Sequence, residues 1–420
     1  MSVIYDYMQK VRSFSYNARL FLLAGIIGAL YQSVYGVLGN LYILQAGLGE
    51  DFLGLMISLS SFSSVLFALP AGMLSDYIGR RRSLLGAAVV AATMHIAIVL
   101  QPTEIVIILA TIVGGAAGAV MMVTSSPFLV ENSTREERNH LFSVNGATWT
   151  ISGIVGSFLG GALPLLWASI LADVPDSFAV YRATLLMTSL LLVLSVIPYA
   201  LLRDSQAKNA EPHRQGARFN FPPWPLGVQL LVPEFIMGFG AGMIIPFLNV
   251  YFANHLNATG AEIGVIFSVM SLATTIAILA APLLGERYGK VRATTLTRLL
   301  SVPLLLTIAL TNNLWVASMA AWFRSALMNM SMPLVSSFTM EILEPEERAT
   351  MSSALSMTWT LGWGLSARLG GYLMKTYAYN LPYFFTAILY VLSALAFYYF
   401  FAPREAQMLA GTAAALSKKK

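Results

Sequence analysis

The sequence predicts an all-α integral membrane protein: twelve transmembrane helices in two pseudo-symmetric six-helix bundles. Three observations carry that expectation. The first is composition. Hydrophobic residues make up 57% of the chain and charged residues 11%, with a mean hydropathy of +0.70. A soluble chain carries about 25% charged residues and could not hide this much apolar surface inside one water-facing body. The second is a series of apolar runs near the ~20 residues that a bilayer crossing needs. The third is an internal repeat at half the chain length. Adding 210 converts Phe128, Glu131, Glu136, Glu137, Arg138, Trp149, Gly160 and Gly161 into Phe338, Glu341, Glu346, Glu347, Arg348, Trp359, Gly370 and Gly371 without a gap. A repeat this long is a duplicated half-protein, a construction common among transporters.

The spans fall near 19–46, 54–74, 83–101, 104–130, 140–166, 180–202, 227–254, 262–284, 294–311, 314–341, 350–374 and 381–402. The segment before the first carries Lys10 and Arg12, and no small-residue cleavage site follows a short apolar core. The first run therefore reads as a span and not as a signal peptide. Residues 1–202 form the first bundle, 203–225 a basic, proline-rich linker, 226–402 the second bundle and 403–420 a polar tail. With no cysteine in the chain, disulfides, thiolate metal sites and cysteine nucleophiles are excluded.

Lysine and arginine set the orientation. One side of the spans collects Arg19, Arg80 to Arg82, Arg135, Arg138, Arg203, Lys208, Arg214, Arg218, Arg287, Lys290, Arg292, Arg348 and Lys418 to Lys420, whereas the opposite loops hold little beyond Arg182 and Lys375. Both termini and the linker are expected on the cytoplasmic side of an inner membrane. Six spans per half return the chain to its starting side, so the copies share one orientation. The net charge of +5 follows from this placement and does not call for nucleic acid.

After the second span comes Gly72-Met73-Leu74-Ser75-Asp76-Tyr77-Ile78-Gly79-Arg80, with a second copy around Glu286, Gly289 and Lys290. Gly79 permits a tight turn between helices. Asp76 can face a helix N-terminus, and Arg80 can pair with a carboxylate. This loop resembles the signature G-x-L-a-D-r-x-G-R-r of the major facilitator superfamily, with Tyr77 where a basic residue is frequent. The resemblance covers nearly the whole chain, and in size and layout it comes nearest to drug-efflux-like members. It implies Glu131 as a partner of the turn, with Arg138 just beyond; Glu341 and Arg348 repeat them. These charges are expected to latch one conformational state and to part when the halves rock.

The resemblance also implies a central cleft lined by spans 1, 4, 7 and 10. The residues offered there are Tyr31, Gln32, Tyr35 and Asn40; Met122 and Ser125; Asn249, after a break at Pro246; and Arg324 and Asn329, with Trp149 and Trp359 at mirrored positions of spans 5 and 11. Aromatics, methionines and amides suit an amphipathic ligand, and the same residues also serve ordinary helix packing. Arg324 lies near the middle of its span without an acidic partner in sequence. An arginine at that depth costs about 2.5–3.5 kcal/mol on insertion scales. It is expected to bind an anionic group of a substrate, or to meet a carbonyl. Arg298 is expected to snorkel to the cytoplasmic surface.

Proton-driven members of the family keep a carboxylate within the membrane, and Glu234 is the candidate here. Pro233-Glu234 also reads as the first turn of a helix, where both residue types are favoured, and that capping role is preferred. His95 is a second coupling candidate. Span 5 keeps Gly156, Gly160 and Gly161 of the glycine pattern of drug exporters, but has Ser152 for its first glycine and Ser157 for its proline.

No phosphate-cradling G-x-x-x-x-G-K-[ST] loop is present and no span carries a paired catalytic set, so neither a cofactor nor an enzymatic activity is expected. The expectation is a monomeric secondary transporter of small molecules. It would work by alternating access in the lipid bilayer with a coupling proton or ion, and would export amphipathic compounds. Uptake of a small organic anion on Arg324 is the alternative, and a transport-inactive receptor or scaffold is the reading of another class. The cysteine-free background allows a direct topology test. Single replacements Glu136→Cys and Glu346→Cys are expected to react with an impermeant maleimide from the same face of the membrane; labelling from opposite faces would refute the parallel duplication.

Overall fold

The computed structural model describes residues 14–203 and 220–417. The basic residues Lys10, Arg12, Lys208, Arg214, Arg218 and Lys418 to Lys420 lie outside them. The helices are α1 (Tyr16–Gln45), α2 (Glu50–Ile78), α3 (Arg80–Leu100), α4 (Glu104–Glu131), α5 (Arg135–Leu171), α6 (Phe178–Leu201), α7 (Trp224–Ile244), α8 (Leu248–Asn254), α9 (Gly260–Tyr288), α10 (Lys290–Leu310), α11 (Leu314–Ile342), α12 (Pro345–Thr376) and α13 (Leu381–Ser417). No strand occurs among the described residues. In lipid every backbone polar group must be satisfied within the chain, which leaves helices as the natural solution for these spans.

Helices α7 and α8 form one span interrupted by a 3-10 turn at Ile245–Phe247, where Pro246 lacks the N–H that an α-helix would use. Ten of the spans are apolar enough to be recognised by hydropathy alone. The other two are α11 and α12, in which Arg324, Asn329 and a scatter of Ser and Thr dilute the apolar run. The last helix continues through Pro403 to Ser417, so the expected polar tail is helical over most of its length.

Contacts divide the chain into two compact units. One runs to Gly216 and includes Ala258–Ser268; the other holds Ala217–Asn257 and Val269 onward. Within the first, α1 packs on α5 and α6, α2 on α4, and α3 on α4 and α6. Within the second, α7 packs on α12 and α13, and α10 on α11 and α13. The same helices of each copy therefore meet. In the core of the first unit Phe21 stacks on Phe128 and meets Tyr199 edge-on, and in the second Phe338 meets Phe397 and Phe401 edge-on.

The repeat extends to single hydrogen bonds. Ser64 Oγ donates to the Gly115 carbonyl at 3.2 Å, and 210 residues later Thr274 Oγ1 meets Ser325 Oγ at 3.0 Å. Tyr42 Oη donates to the Val99 carbonyl at 2.7 Å, and Tyr251 Oη to Ile308 at 2.9 Å, an offset of 209. The repeated acidic block has a structural job as well. Thr134 and Glu137 form a capping box at the start of α5, and Glu344 and Glu347 form its copy at α12. At the turn into α6, the Ser177 hydroxyl and the Val174 amide both donate to Asp173 at 2.7 Å, which holds its carboxyl below the usual range.

Small residues decide how closely helices approach, because lipid offers no hydrophobic drive for their association. A Cβ on Gly156 of α5 would lie 2.6 Å from Ser33 Cβ and 2.8 Å from the Leu30 carbonyl of α1. In the second unit, a Cβ on Gly238 of α7 would lie 2.8 Å from the Trp359 carbonyl of α12. Gly156→Leu and Gly238→Leu should each cost at least about 1–3 kcal/mol, read as a lower melting temperature in detergent. Gly86→Ala, where a Cβ meets nothing within 4 Å, should gain about 0.5–1 kcal/mol. Equal effects at the three positions would contradict the packing described.

Candidate functional site

The α2–α3 turn is built around Gly79, whose φ of 89° lies in the left-handed region that glycine adopts without penalty. The turn places Arg80 at the start of α3. Its Nη2 lies 2.6 Å from Asp76 Oδ1 and its Nε 3.4 Å from Glu131 Oε1 on α4. Nη1 donates to Ser75 Oγ at 2.9 Å, and Ser75 also accepts from Thr124 Oγ1 at 3.0 Å. One guanidinium thus ties α2, α3 and α4 together. A cavity of about 260 Å³ opens beside it, lined by Ser75, Asp76, Gly79, Arg80, Arg81, Phe128, Glu131 and Arg203. Asp76 is mostly exposed, so the pair adds little stability by itself and is cheap to break. Arg138 Nε is buried and has no hydrogen-bond partner among the described residues.

In the second unit Gly289 has a φ of 84°. Lys290 pairs with Glu341 of α11 and donates to Ser337 Oγ at 2.8 Å, while Arg348 Nε donates to the Leu343 carbonyl at 3.1 Å. Glu286 is exposed. A participant absent from the sequence reading is Glu405. Its buried Oε1 accepts from the Val291 amide at 2.9 Å, supplying the N-terminal cap that Gly289 cannot. The pair Arg404-Glu405 repeats Arg203-Asp204 at an offset of 201, a signal that a gap-free comparison at 210 passes over.

The buried charges of the second unit correct two expectations. Arg298 does not snorkel. Its side chain is 3% exposed and its Nη2 lies 2.7 Å from Glu234 Oε1, with the guanidinium 5.6 Å from the Phe397 ring centroid and Nε 3.5 Å from Ser331 Oγ. Glu234 does not cap a helix. Helix α7 begins ten residues earlier at Trp224 with Pro225 in its first turn, and Pro233 lies inside the helix. The carboxylate, 14% exposed, is the more accessible member of the pair. Sequence spacing missed the partnership because the two residues sit on different helices, 64 positions apart.

Arg324 is 6% exposed. Its Nη2 donates to Tyr390 Oη of α13 at 2.7 Å and its guanidinium lies 5.6 Å from the same ring. In the first unit the His95 ring meets Tyr31 and Tyr35 edge-on, with centroids 5.4 and 5.3 Å away. His95 Nδ1 lies 2.9 Å from the Ala91 carbonyl. A carbonyl only accepts, so Nδ1 carries the proton and Nε2 is left as the basic nitrogen.

The remaining cleft candidates differ in burial and in hydrogen bonding. Gln32 is exposed, Met122 is 68% and Trp149 54% exposed, and Tyr35 and Asn40 are half-buried. Ser125 donates to its own helix at Met121, as Asn329 does at Ser325. Asn249 is buried and accepts from the Val250 amide. Trp359 is half-buried, its backbone pressed against Gly238. Gly72 lies against Val123 of α4.

With that geometry established, comparison with known proteins defines the class. The family model for the Major Facilitator Superfamily matches residues 20–233 and 230–418. The chain belongs to the major facilitator superfamily, a family of multi-pass membrane transporters. It is similar in fold to a bacterial homolog of the human lysosomal transporter Spinster (TM-score 0.74, 14% identity, 92% of this chain and 96% of that one). Similar folds are those of the nucleoside transporter NupG (0.71, 14%, 91% and 98%) and a D-xylose-proton symporter (0.69, 15%, 93% and 97%). In sequence, an uncharacterized MFS-type transporter of Methanocaldococcus jannaschii is 26% identical over 170 residues, 40% of this chain and 43% of that protein.

The ion pair makes a stability prediction. Glu234→Gln strands the buried Arg298 charge and should cost about 3–5 kcal/mol. The double replacement Glu234→Leu with Arg298→Met should recover most of that loss. A double variant as unstable as the sum of its singles would show that the pair is not a coupled unit.

Proposed function

We propose that the chain is a secondary transporter that exports amphipathic or lipophilic small molecules by alternating access, in exchange for protons carried by Glu234. The observation that carries this reading is the Glu234–Arg298 pair. Glu234 is the one carboxylate placed deep within the spans of the second half, and it is the partly accessible member of a pair whose cation is sealed. Protonation would neutralise Glu234 and release Arg298. A conformational step can answer that change because Nη1 of Arg298 has no hydrogen-bond partner among the described residues. The exposed apolar side chains of Met122 and Trp149 support an amphipathic cargo. The Arg80 and Lys290 clusters are the proposed latches of one conformational state. The basic loops support a cytoplasmic location for both termini, in an inner membrane, with a monomer as the working unit and no enzymatic step. One relative in fold, a xylose symporter, is proton-linked by name.

Arg324 supports a second reading, uptake of a small organic anion, because its buried guanidinium has a phenol as its recorded partner and no acid. Proteoliposomes separate the two. With a pH gradient imposed, the wild type should accumulate a lipophilic cation. Glu234→Gln should keep solute exchange at zero gradient but lose gradient-driven accumulation by about tenfold or more, the range of a lost charge-assisted contact. Gradient-driven uptake intact in Glu234→Gln would remove the coupling role, and competition by carboxylates alone would favour the anion.

A further inference from the structure

The membrane-embedded core of the second unit holds more positive charge than it can neutralise. Among the described residues two guanidiniums are buried there, Arg298 and Arg324; Glu234 is paired with Arg298, and the buried carboxylate of Glu405 accepts from the Val291 amide at the start of α10. The surroundings of Arg324 are rich in donors. Its Nε has no hydrogen-bond partner among the described residues. Tyr390, which accepts from Nη2, still has its own O–H to give. Tyr383, fully buried two helical turns before Tyr390 on the same face of α13, has a hydroxyl with no partner among the described residues. The ring of Tyr251 lies tilted against it with centroids 4.5 Å apart, and its own O–H donates to the Ile308 carbonyl. A buried charge without a counter-charge, beside donors without acceptors, is unstable on both counts. What satisfies both at once is an acceptor bearing a negative charge.

We propose that Arg324 and Tyr383 form a binding site for a small monovalent anion inside the second unit, with Tyr390 holding the guanidinium in position. The anion bridges Arg324 Nε and the Tyr383 hydroxyl and serves as the counter-charge that the helices lack. Halide and the carboxylate of a small organic acid share the required chemistry. The site goes beyond the transport reading, since it needs neither a direction nor a moving solute.

The test is a melting curve of the purified protein at constant ionic strength, with the sodium salt of a bulky sulfonate buffer replaced stepwise by sodium chloride, bromide or acetate. A ligand that binds the folded state raises the melting temperature in a saturable way. The wild type should show that rise with at least one of the three anions. Halide without acetate marks an inorganic counter-ion, and acetate without halide marks a carboxylate site. Tyr383→Phe, which deletes one hydroxyl, should weaken the apparent affinity by about tenfold, as expected for a lost bond to a charged group. Arg324→Gln should abolish the rise. If Arg324→Gln does not fold, Tyr383→Phe and Tyr390→Phe still decide the matter, with a larger loss expected for Tyr383→Phe. No rise with any of the three anions, or the same rise in wild type and Tyr383→Phe, would overturn the site. Neither result bears on proton-driven export, which is read by flux.

Discussion

A bilayer interior tolerates charge only where the protein neutralises it, and among the described residues of the second half two guanidiniums are buried while Glu234 pairs with only one of them, Arg298. That constraint shapes the elements around it. Glu234 takes Arg298, with Phe397 and Ser331 completing the surroundings of the guanidinium. Arg324 is left with Tyr390, and the neighbouring Tyr383 keeps an unanswered hydroxyl. Helices α7, α10, α11 and α13 each contribute to this arrangement. On the proposed coupling role, a change in the protonation of Glu234 would act first on Arg298 of α10, its ion-pair partner.

The two halves solve the same architectural problem with different chemistry. Both use a left-handed glycine to turn between their second and third spans, and both tie that turn to the fourth span with a cation and an acid. The first uses an arginine that also binds Asp76 and Ser75, whereas the second uses a lysine and a carboxylate from the far end of the chain. Duplication preserved the helix pairing and let the polar contacts diverge. The aromatic box around His95 has no copy in the second half, where offset 210 sets Leu305 in its place. The buried ion pair has no copy in the first, where the same offset sets Ala24 and Ala88.

Much of the fold was legible because its signals are local or periodic. Apolar runs, loop charges and a gap-free repeat required no knowledge of what touches what. Even so, the runs of α11 and α12 are more diluted by polar residues than the other ten, and the match to α4 and α5 at offset 210 supports them. The site was less legible, for two physical reasons. Glu234 follows a proline, and the local rule for Pro-Glu favours a helix start; only the ten helical residues before it, and Arg298 across the bundle, overrule that rule. Arg298 lies within a turn or two of a helix end, where snorkelling is the common outcome, and a single acid on another helix was enough to draw it inward. Glu405 was hidden by a change of offset from 210 to 201, and no sequence signal ties Tyr390 to Arg324, which lies 66 positions away on another helix.

The central claim is that Glu234 changes its protonation during the transport cycle while Arg298 stays buried. Infrared difference spectroscopy of the purified protein, with and without a transported solute, tests it most directly. A protonated-carboxyl band that appears or disappears on solute addition, and is missing in Glu234→Gln, is the predicted result. A difference spectrum with no carboxyl band, or one that survives in Glu234→Gln, would contradict it.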